Sequence, residues 1–171
     1  MTHLLDYQPL NLYTNYQEAA EKTPTVPIIF DESLPAFPAL GLETTYGESH
    51  QEILKRAYQL AALGVKKGDK IIIYKSPKFD TYLLAVAASY LAAVPVMVSY
   101  HLPFETIEVF VDRLEDPYIL FDDVTAEKVQ AVRNSSANKK LSVASLLEAD
   151  ATEVPQDELT KDEIAYLPPP P

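Results

Sequence analysis

The fold of this protein is decided by one stretch, KKGDKIIIYKSPKFDTYLLAVAASYLAAVPVMVSY (residues 66–100). Its two apolar runs, Ile71–Tyr74 and Val94–Val98, have the length of strands, and the first is continuous, as in a strand buried on both faces. Between them we expect a helix with Ser76 as its N-cap and Pro77 at its first position, running to about Ala93. A helix that joins two strands in this way is typical of a parallel sheet.

The segment before this stretch predicts an amphipathic helix. Ser49 and Glu52 have the spacing of a capping box. Gly64 suits the position just after the last turn, where φ is positive. One apolar face would be formed by Ile53, Leu54, Ala57, Leu60 and Ala61.

Shorter patterns on either side predict further strands and helices. An N-terminal helix should end before Pro24, and the Val26–Phe30 run indicates a strand followed by an irregular, proline-rich loop. Downstream we expect a helix over about 104–114, a strand at Tyr118–Phe121, a helix capped near Asp123 or Thr125, and a weak short strand with a helical turn.

The order of these elements predicts an α/β fold, a partial doubly wound and mainly parallel sheet with flanking helices and right-handed crossovers. We expect three parts: an N-terminal helix and irregular lead-in (1–45), an α/β core (46–147), and an acidic linker with a proline-rich end (148–171). Between Glu148 and Glu163 the acidic residues greatly outnumber the single Lys161, which is typical of a solvated linker rather than a partner-binding patch.

Composition excludes several classes of function. The net charge of −11 argues against nucleic acid or an anionic membrane surface as the main partner. The chain has no cysteine, which excludes disulfides, thiolate metal sites and cysteine nucleophiles. Its N-terminus lacks the features of a signal peptide, and the longest apolar stretch, Tyr82–Val98, is interrupted by Ser89 and Pro95. We therefore expect a cytoplasmic protein without a membrane partner.

Two blocks of sequence carry a resemblance to a known family. TTYGESHQEILKRAYQLAALGVKKGDKIIIY (44–74) and SPKFDTYLLAVAASYLAAVPVMVSYHLP (76–103) resemble the opening of the adenylate-forming (AMP-binding) acid ligases. That family includes acyl-CoA synthetases, fatty-acyl-AMP ligases and peptide-synthetase adenylation domains. The resemblance covers roughly Tyr46–Asp123, the N-terminal portion of the family's large domain. The matching residues are Tyr46, Glu48, Leu60, Ala61, Gly64, Val65, Gly68, Asp69, Leu91, Ala92, Val94, Pro95, Val96 and Pro103.

The chain departs from the family pattern at two places. Ala93 stands where the family usually has glycine at the helix–strand junction, and alanine tolerates a positive φ poorly. Asp162–Leu167 is similar to the strand that leads into the family's Ser/Thr/Gly-rich phosphate loop, but Pro168–Pro171 occupy the start of that loop. Backbone N–H groups hold the phosphates in such loops, and proline has none. The resemblance therefore implies that the nucleotide loop is missing.

The resemblance also implies what a complete family member would use. It would bind ATP and Mg²⁺, form an acyl-adenylate, and pass the acyl group to CoA or to a carrier phosphopantetheine. The family's adenine and ribose contacts, its hinge and its catalytic lysine would all lie beyond residue 171. An excerpt of a longer protein, a truncated gene and a free-standing protein all fit this sequence.

The three histidines are the first candidates for catalysis. We expect His3 to lie in a terminal segment and His50 in the first turn of a helix, both on the surface. His101, in the SYHLP loop after a strand end, is better placed to line a substrate, although a plain connector is the simpler interpretation.

Charged residues beside strand ends are the second candidates. Asp122 and Asp123 follow a strand and could hold magnesium, but a helix cap explains the pair more simply. Lys75 and Lys78 lie beside a helix N-terminus, which favours anions, yet the turn contains no glycine. We therefore assign no catalytic, cofactor-binding or metal residue to this chain. The four terminal prolines could be a polyproline II ligand, but a disordered end explains them more simply.

Three functions follow. The first is an N-terminal fragment of an ATP-dependent acyl-activating ligase of fatty-acid metabolism, inactive alone, whose partner is the remainder of the ligase. The second is a non-catalytic α/β interaction module, including self-association through apolar surface that a truncated sheet exposes. The third is an unrelated flavodoxin-like binder, which a different sheet order would favour.

Overall fold

The computed structural model describes residues 11–160, 163–165 and 167. The helices are α1 (Leu12–Lys22), α2 (Tyr46–Ala62), α3 (Asp80–Tyr90), α4 (Phe104–Arg113), α5 (Ala126–Ala131) and α6 (Val143–Glu148). The strands are β1 (Pro27–Ile29), β2 (Glu43–Thr45), β3 (Lys70–Tyr74), β4 (Val94–Met97), β5 (Tyr118–Phe121) and β6 (Lys140–Ser142).

The core is a four-stranded sheet in the order β4-β3-β5-β6, and every pairing in it is parallel. Side chains alternate across β3, because successive residues of a strand point to opposite faces. Ile71 and Ile73 pack with α1, α2, α3 and α6, whereas Ile72 and Tyr74 pack with α4 and α5. Helices thus cover both faces, which confirms the predicted α/β fold class. Strands β1 and β2 form a separate antiparallel pair.

Helix α2 begins earlier than its predicted cap. Thr45 is the N-cap, and its hydroxyl accepts a hydrogen bond from the Glu48 backbone N–H at 3.1 Å. The capping role predicted for Ser49 is therefore wrong. Ser49 is buried, and its hydroxyl is hydrogen-bonded to that of Tyr16 at 2.5 Å. Gly64 has the predicted positive φ, 102°, just after the helix.

Helix α3 begins at Asp80, so the prediction that Ser76 caps it and that Pro77 starts it is wrong. The physical reason is that Ser76 bonds instead to Asp122, on a neighbouring strand end. The helix ends at Tyr90, and the residue with a positive φ at the junction is Ala92, at 53°, rather than Ala93.

The hydrogen bonds at this junction explain why Ala92 takes that conformation. Ala92 N–H donates to Ser89 O at 3.0 Å, and Ala93 N–H donates to Ala88 O at 3.2 Å. This pair of bonds is the Schellman motif, which places a left-handed residue just after the helix.

The acidic segment after α6 contacts the helical layer. Tyr90 OH donates to Val154 O at 2.7 Å, and Asp157 N–H donates to Tyr90 O at 3.1 Å. Lys67 Nζ donates to Glu158 O at 2.8 Å and lies 3.2 Å from the Glu163 carboxylate. These contacts guide the chain across the ends of α2 and α3.

The strand predicted at Ile164–Leu167 is visible at one residue. Leu167 forms a parallel bridge with Val96, and its N–H donates to Pro95 O at 3.1 Å. The chain therefore reaches the outer edge of β4. Tyr166 and Pro168–Pro171 lie outside the described residues. Within the described part of the chain, every helix is too short or too polar to cross a bilayer.

Candidate functional site

The carboxyl ends of β3 and β5 form the edge of the sheet where a ligand would be expected. The chain passes from β3 to β4 on one side and returns to β5 on the other. In open α/β sheets, ligands bind where the connections diverge in this way. We call Lys75, Ser76, Asp80 and Asp122 the Lys75 cluster, because their side chains meet at this edge.

A buried ion pair is the centre of the Lys75 cluster. Lys75 Nζ donates to Asp80 Oδ1 at 2.5 Å, and both side chains are fully buried. The second oxygen of Asp80 accepts the Ala36 N–H at 3.0 Å. Because a buried charge is costly unless it is paired and hydrogen-bonded, these contacts explain how both charges are tolerated inside the protein.

Asp122 connects β5 to the β3–α3 loop. Its Oδ2 accepts both the N–H of Ser76, at 3.1 Å, and the Ser76 hydroxyl, and it lies 3.9 Å from Lys75 Nζ. Its Oδ1 accepts the Val124 N–H at 3.1 Å. A carboxylate has about four acceptor positions, and three are already used. The capping role predicted for Asp122 and Asp123 is wrong, because the N-cap of α5 is Thr125, the other predicted position. The Thr125 hydroxyl does not cap the helix but donates to Tyr74 O at 2.6 Å.

The structure separates the other candidate residues. His50 is half-buried rather than on the surface, and it is hydrogen-bonded to Tyr13 OH at 2.9 Å; burial lowers its pKa. His101 is exposed, with its ring 3.9 Å from that of Tyr100. Lys78 pairs with Glu32 at 3.0 Å. None of these residues joins the Lys75 cluster, and His3 lies outside the described residues.

A small cleft lies away from the sheet edge, between α1, β1 and the first turns of α2 and α3. It has a volume of about 200 Å³ and is lined mainly by Tyr16, Ile28, Tyr46, Phe79 and Tyr82. Burial raises the pKa of Tyr16 to about 12. The Tyr16 phenol therefore stays neutral at physiological pH, and the residues that line the cleft include no carboxylate, imidazole or amine.

The chemistry of the described residues does not fit Mg²⁺ or a triphosphate. Protein donors use three of the acceptor positions of Asp122 and contact both oxygens of Asp80, and no group of three or more His, Asp or Glu side chains among the described residues could hold a metal ion. Lys75 is fully buried against Asp80, so its charge is not available to an anion. We derive no chemical step through either group.

Asp80 is the site residue that sequence patterns do not reveal. It lies in a helix whose other buried positions are apolar or small, and it is itself fully buried. A signal was present at Asp80, since a single carboxylate heading an otherwise apolar helix requires a partner. No local pattern identifies that partner as Lys75.

Comparison with known proteins gives the class. A family model described as "AMP-binding enzyme" matches residues 16–171, which is most of the chain. The protein belongs to the AMP-binding enzyme family, as its sequence resemblance indicated. The solved structures that it resembles include acyl-CoA ligases and peptide-synthetase adenylation domains, and the likeness is to the N-terminal portion of that fold.

Three particular proteins illustrate the likeness. The chain is 33% identical over 110 residues to a 3-amino-2-hydroxy-4-methoxybenzoate diazotase of Streptomyces cremeus, covering 64% of this chain and 20% of the relative. It superimposes with a TM-score of 0.77 on a long-chain-fatty-acid–CoA ligase of Archaeoglobus fulgidus, at 17% identity, covering 95% of this chain and 35% of that one. With the N-terminal domain of FACL13 from Mycobacterium tuberculosis the TM-score is 0.73, at 18% identity, and the match covers 92% of this chain and 41% of that one.

The chain spans one fifth of the diazotase and about two fifths or less of the two solved structures. The two structural likenesses, at 17% and 18% identity, therefore define the fold alone.

Proposed function

We propose that this chain forms the N-terminal scaffold of an ATP-dependent acid-activating ligase and that it does not adenylate an acid by itself. Its contribution is the parallel sheet, on which other polypeptide of such an enzyme would assemble a site. ATP, Mg²⁺ and CoA or a carrier phosphopantetheine would be used by the whole enzyme, and no residue of this chain is assigned to them.

The observation that carries this proposal is the Lys75 cluster. At the sheet edge where α/β proteins place ligands, the charged groups bind one another instead of facing an open cavity. Freeing Asp122 or Lys75 for a ligand would leave a buried partner unpaired, which costs roughly 3–5 kcal/mol. The edge is therefore built as a rigid support and not as a nucleotide site.

An aromatic acid is the substrate class that we propose for the whole enzyme. The diazotase, whose name gives an aminohydroxy-methoxybenzoate, is a relative with 33% sequence identity over 110 residues, whereas the likeness to the fatty-acid ligase is one of fold. A fatty acid is the alternative. Since ATP is the energy source proposed, the proposed compartment is the cytoplasm.

Pyrophosphate exchange tests the proposal. The purified chain is incubated with ATP, Mg²⁺, labelled pyrophosphate and, separately, a panel of benzoic and fatty acids. A longer family member with an intact phosphate loop serves as the positive control. We expect no acid-dependent exchange by this chain and no nucleotide uptake in calorimetry. Acid-dependent exchange, or stoichiometric nucleotide binding by the chain alone, contradicts the scaffold proposal.

A non-catalytic interaction module is the second candidate function, and exposed apolar side chains favour it. Ile29 in β1 is 76% exposed, Leu42, one residue before β2, is 54% exposed, and Phe79 is 45% exposed with its ring against that of Phe30. Such clusters often mark interaction surfaces. Sedimentation over a range of concentrations discriminates: self-association that Ile29→Lys abolishes favours the module, and a monomer at all concentrations contradicts self-association through this surface.

A further inference from the structure

The Lys75 cluster does not end at Asp80. Ala36, whose N–H donates to Asp80, also accepts a hydrogen bond at its carbonyl from Arg56 Nε at 2.6 Å. Arg56 Nη1 then donates to Gln59 Oε1 at 3.1 Å. Each of these residues makes one contact toward the sheet edge and one away from it. The contacts therefore form an unbroken line from the end of β5 into α2.

Gln59 ends this line beside the end of α6. Its Nε2 donates to two backbone carbonyls, those of Leu147 and Ala149, at 3.1 Å each. These two residues are the last turn of α6 and the start of the acidic segment. That segment leads along the chain to Leu167, at the outer edge of β4.

Burial makes the members of this line depend on one another. Ala36 and Asp80 are fully buried, and Lys75, Arg56 and Gln59 are 2–4% exposed. Water cannot replace a partner that moves away, so each broken contact would leave an unpaired polar group in the interior. In a low-dielectric interior, hydrogen-bonded groups also polarise their neighbours. A displacement at one end is therefore costly unless the next contact adjusts.

We propose that this line is a positioning device that couples the carboxyl edge of the sheet to the start of the acidic segment. We call it the buried polar network, and its members are Asp122, Ser76, Lys75, Asp80, Ala36, Arg56 and Gln59. Any group that binds to the carboxylate oxygens of Asp122 shifts the hydrogen bonds of Gln59, and it thereby shifts the backbone at residues 147–149. The proposal does not depend on the acid-activating function, because it concerns the chain alone.

A double-mutant cycle on the 171-residue chain is the first test. Asp122→Asn and Gln59→Met are made singly and together, and the unfolding equilibrium constant of each variant is measured in urea. The two side chains share no hydrogen-bond partner. For independent sites the effects multiply within about twofold. If the proposal is right, the effect of the double variant on the unfolding equilibrium constant should differ by at least about threefold from the product of the two single effects. The matched control is Gln51→Met, because Gln51 is exposed on the same helix. When it is combined with Asp122→Asn, the two single effects on the unfolding equilibrium constant should multiply.

Amide hydrogen exchange is the second test, and it reports on position rather than overall stability. In Asp122→Asn we expect faster exchange of the Ala149 N–H, which donates to Leu146 O at 3.2 Å. Asp123→Asn, one residue along and outside the network, should leave that amide unchanged. Should Asp122→Asn fail to fold, Ser76→Ala removes only one donor to Asp122 and is expected to act in the same direction. Multiplicative effects in the cycle, or unchanged exchange at Ala149 in both variants, overturn the proposal.

Discussion

Replacing Lys75 by methionine should cost the protein a large part of its stability. Lys75 Nζ lies 2.5 Å from Asp80 Oδ1, and both side chains are fully buried. At an effective dielectric constant of about 20 the attraction at this separation is roughly 7 kcal/mol. Methionine has a similar length and fills the space, so the change removes the charge and little packing.

The net loss is smaller than the attraction, because the pair also loses hydration on folding. Removing one partner of a buried pair costs roughly 3–5 kcal/mol, since the other charge is left uncompensated. Asp80 would keep the Ala36 N–H as its donor. With total stabilities of about 5–15 kcal/mol for a domain, Lys75→Met should leave a folded but weakened protein.

Urea unfolding followed by circular dichroism measures this loss. With a slope of about 2 kcal/mol per molar urea, the midpoint should fall by ~2 M. Lys78→Met is the matched control, because Lys78 pairs with Glu32 near the surface and such pairs contribute about 0–1 kcal/mol. The double change Lys75→Met with Asp80→Asn should restore much of the stability, since the amide still accepts from Ala36.

A loss below about 1 kcal/mol in Lys75→Met, or a loss equal to that in Lys78→Met, would refute the role assigned to the buried pair. It would mean that Asp80 finds compensation from water or from a rearranged neighbour. Failure of the double change to recover stability would instead assign the loss to altered packing.

Three further predictions use the same unfolding assay. Gly64→Ala should cost about 2 kcal/mol, because φ is +102° and the added Cβ would lie 3.1 Å from Tyr118 OH. Gly68→Ala should cost about half as much, because its φ of +84° is also strained but the added Cβ would meet no atom. Thr45→Ala should cost about 1 kcal/mol through loss of the α2 cap; a loss under about 0.3 kcal/mol would contradict that assignment. Burial lowers the pKa of His50 in the folded protein, so that, as the pH falls, the unfolded chain takes up a proton at a higher pH than the folded chain does. The free energy of unfolding should therefore fall as the pH drops below about 6.5, and it should fall less steeply in His50→Gln.

Much of the sheet could be predicted from the sequence because its strands are continuous apolar runs. The run at Ile71–Tyr74 lies within β3, and Tyr118–Phe121 is β5 at its predicted bounds. Buried parallel strands need apolar residues on both faces, so the pattern is local and does not depend on distant partners. Gly64 was predictable for a similar reason, since its conformation is set by the helix that it follows.

The helix starts were predicted less well, because capping signals compete with contacts that the sequence does not show. Ser76 followed by proline is a typical helix start, yet its hydroxyl is used by Asp122, 46 residues away. Ser49 has the spacing of a capping box, but Thr45 caps one turn earlier and Ser49 is buried against Tyr16. In both cases a tertiary hydrogen bond takes the group that the local pattern would have used.

The candidate site was the least predictable part, because several of its links join residues that are distant along the chain. The separations are 44 residues for Ala36 and Asp80, 20 for Arg56 and Ala36, and 88 for Gln59 and Leu147. Sequence periodicity reports which face of an element is buried, but it does not report which polar groups meet there. A charged residue within an apolar face indicates only that a partner exists.

The contacts of Asp122 and Lys75, which local sequence patterns do not show, also determine which ligands this sheet edge can bind. To bind a cation through more than its one remaining acceptor position, Asp122 would have to release Ser76 or Val124, and to bind an anion Lys75 would have to leave Asp80. Release of Ser76 from Asp122, or of Lys75 from Asp80, leaves a buried donor or charge without a partner, so a ligand would have to supply the lost free energy before it gained any affinity. The sheet edge is consequently stable because its polar groups are satisfied, and for that reason it is poorly suited to bind a ligand directly. Nucleotide binding at this edge would therefore require a measurable rearrangement at Ser76, which isotope-labelled amide spectra of the chain would reveal.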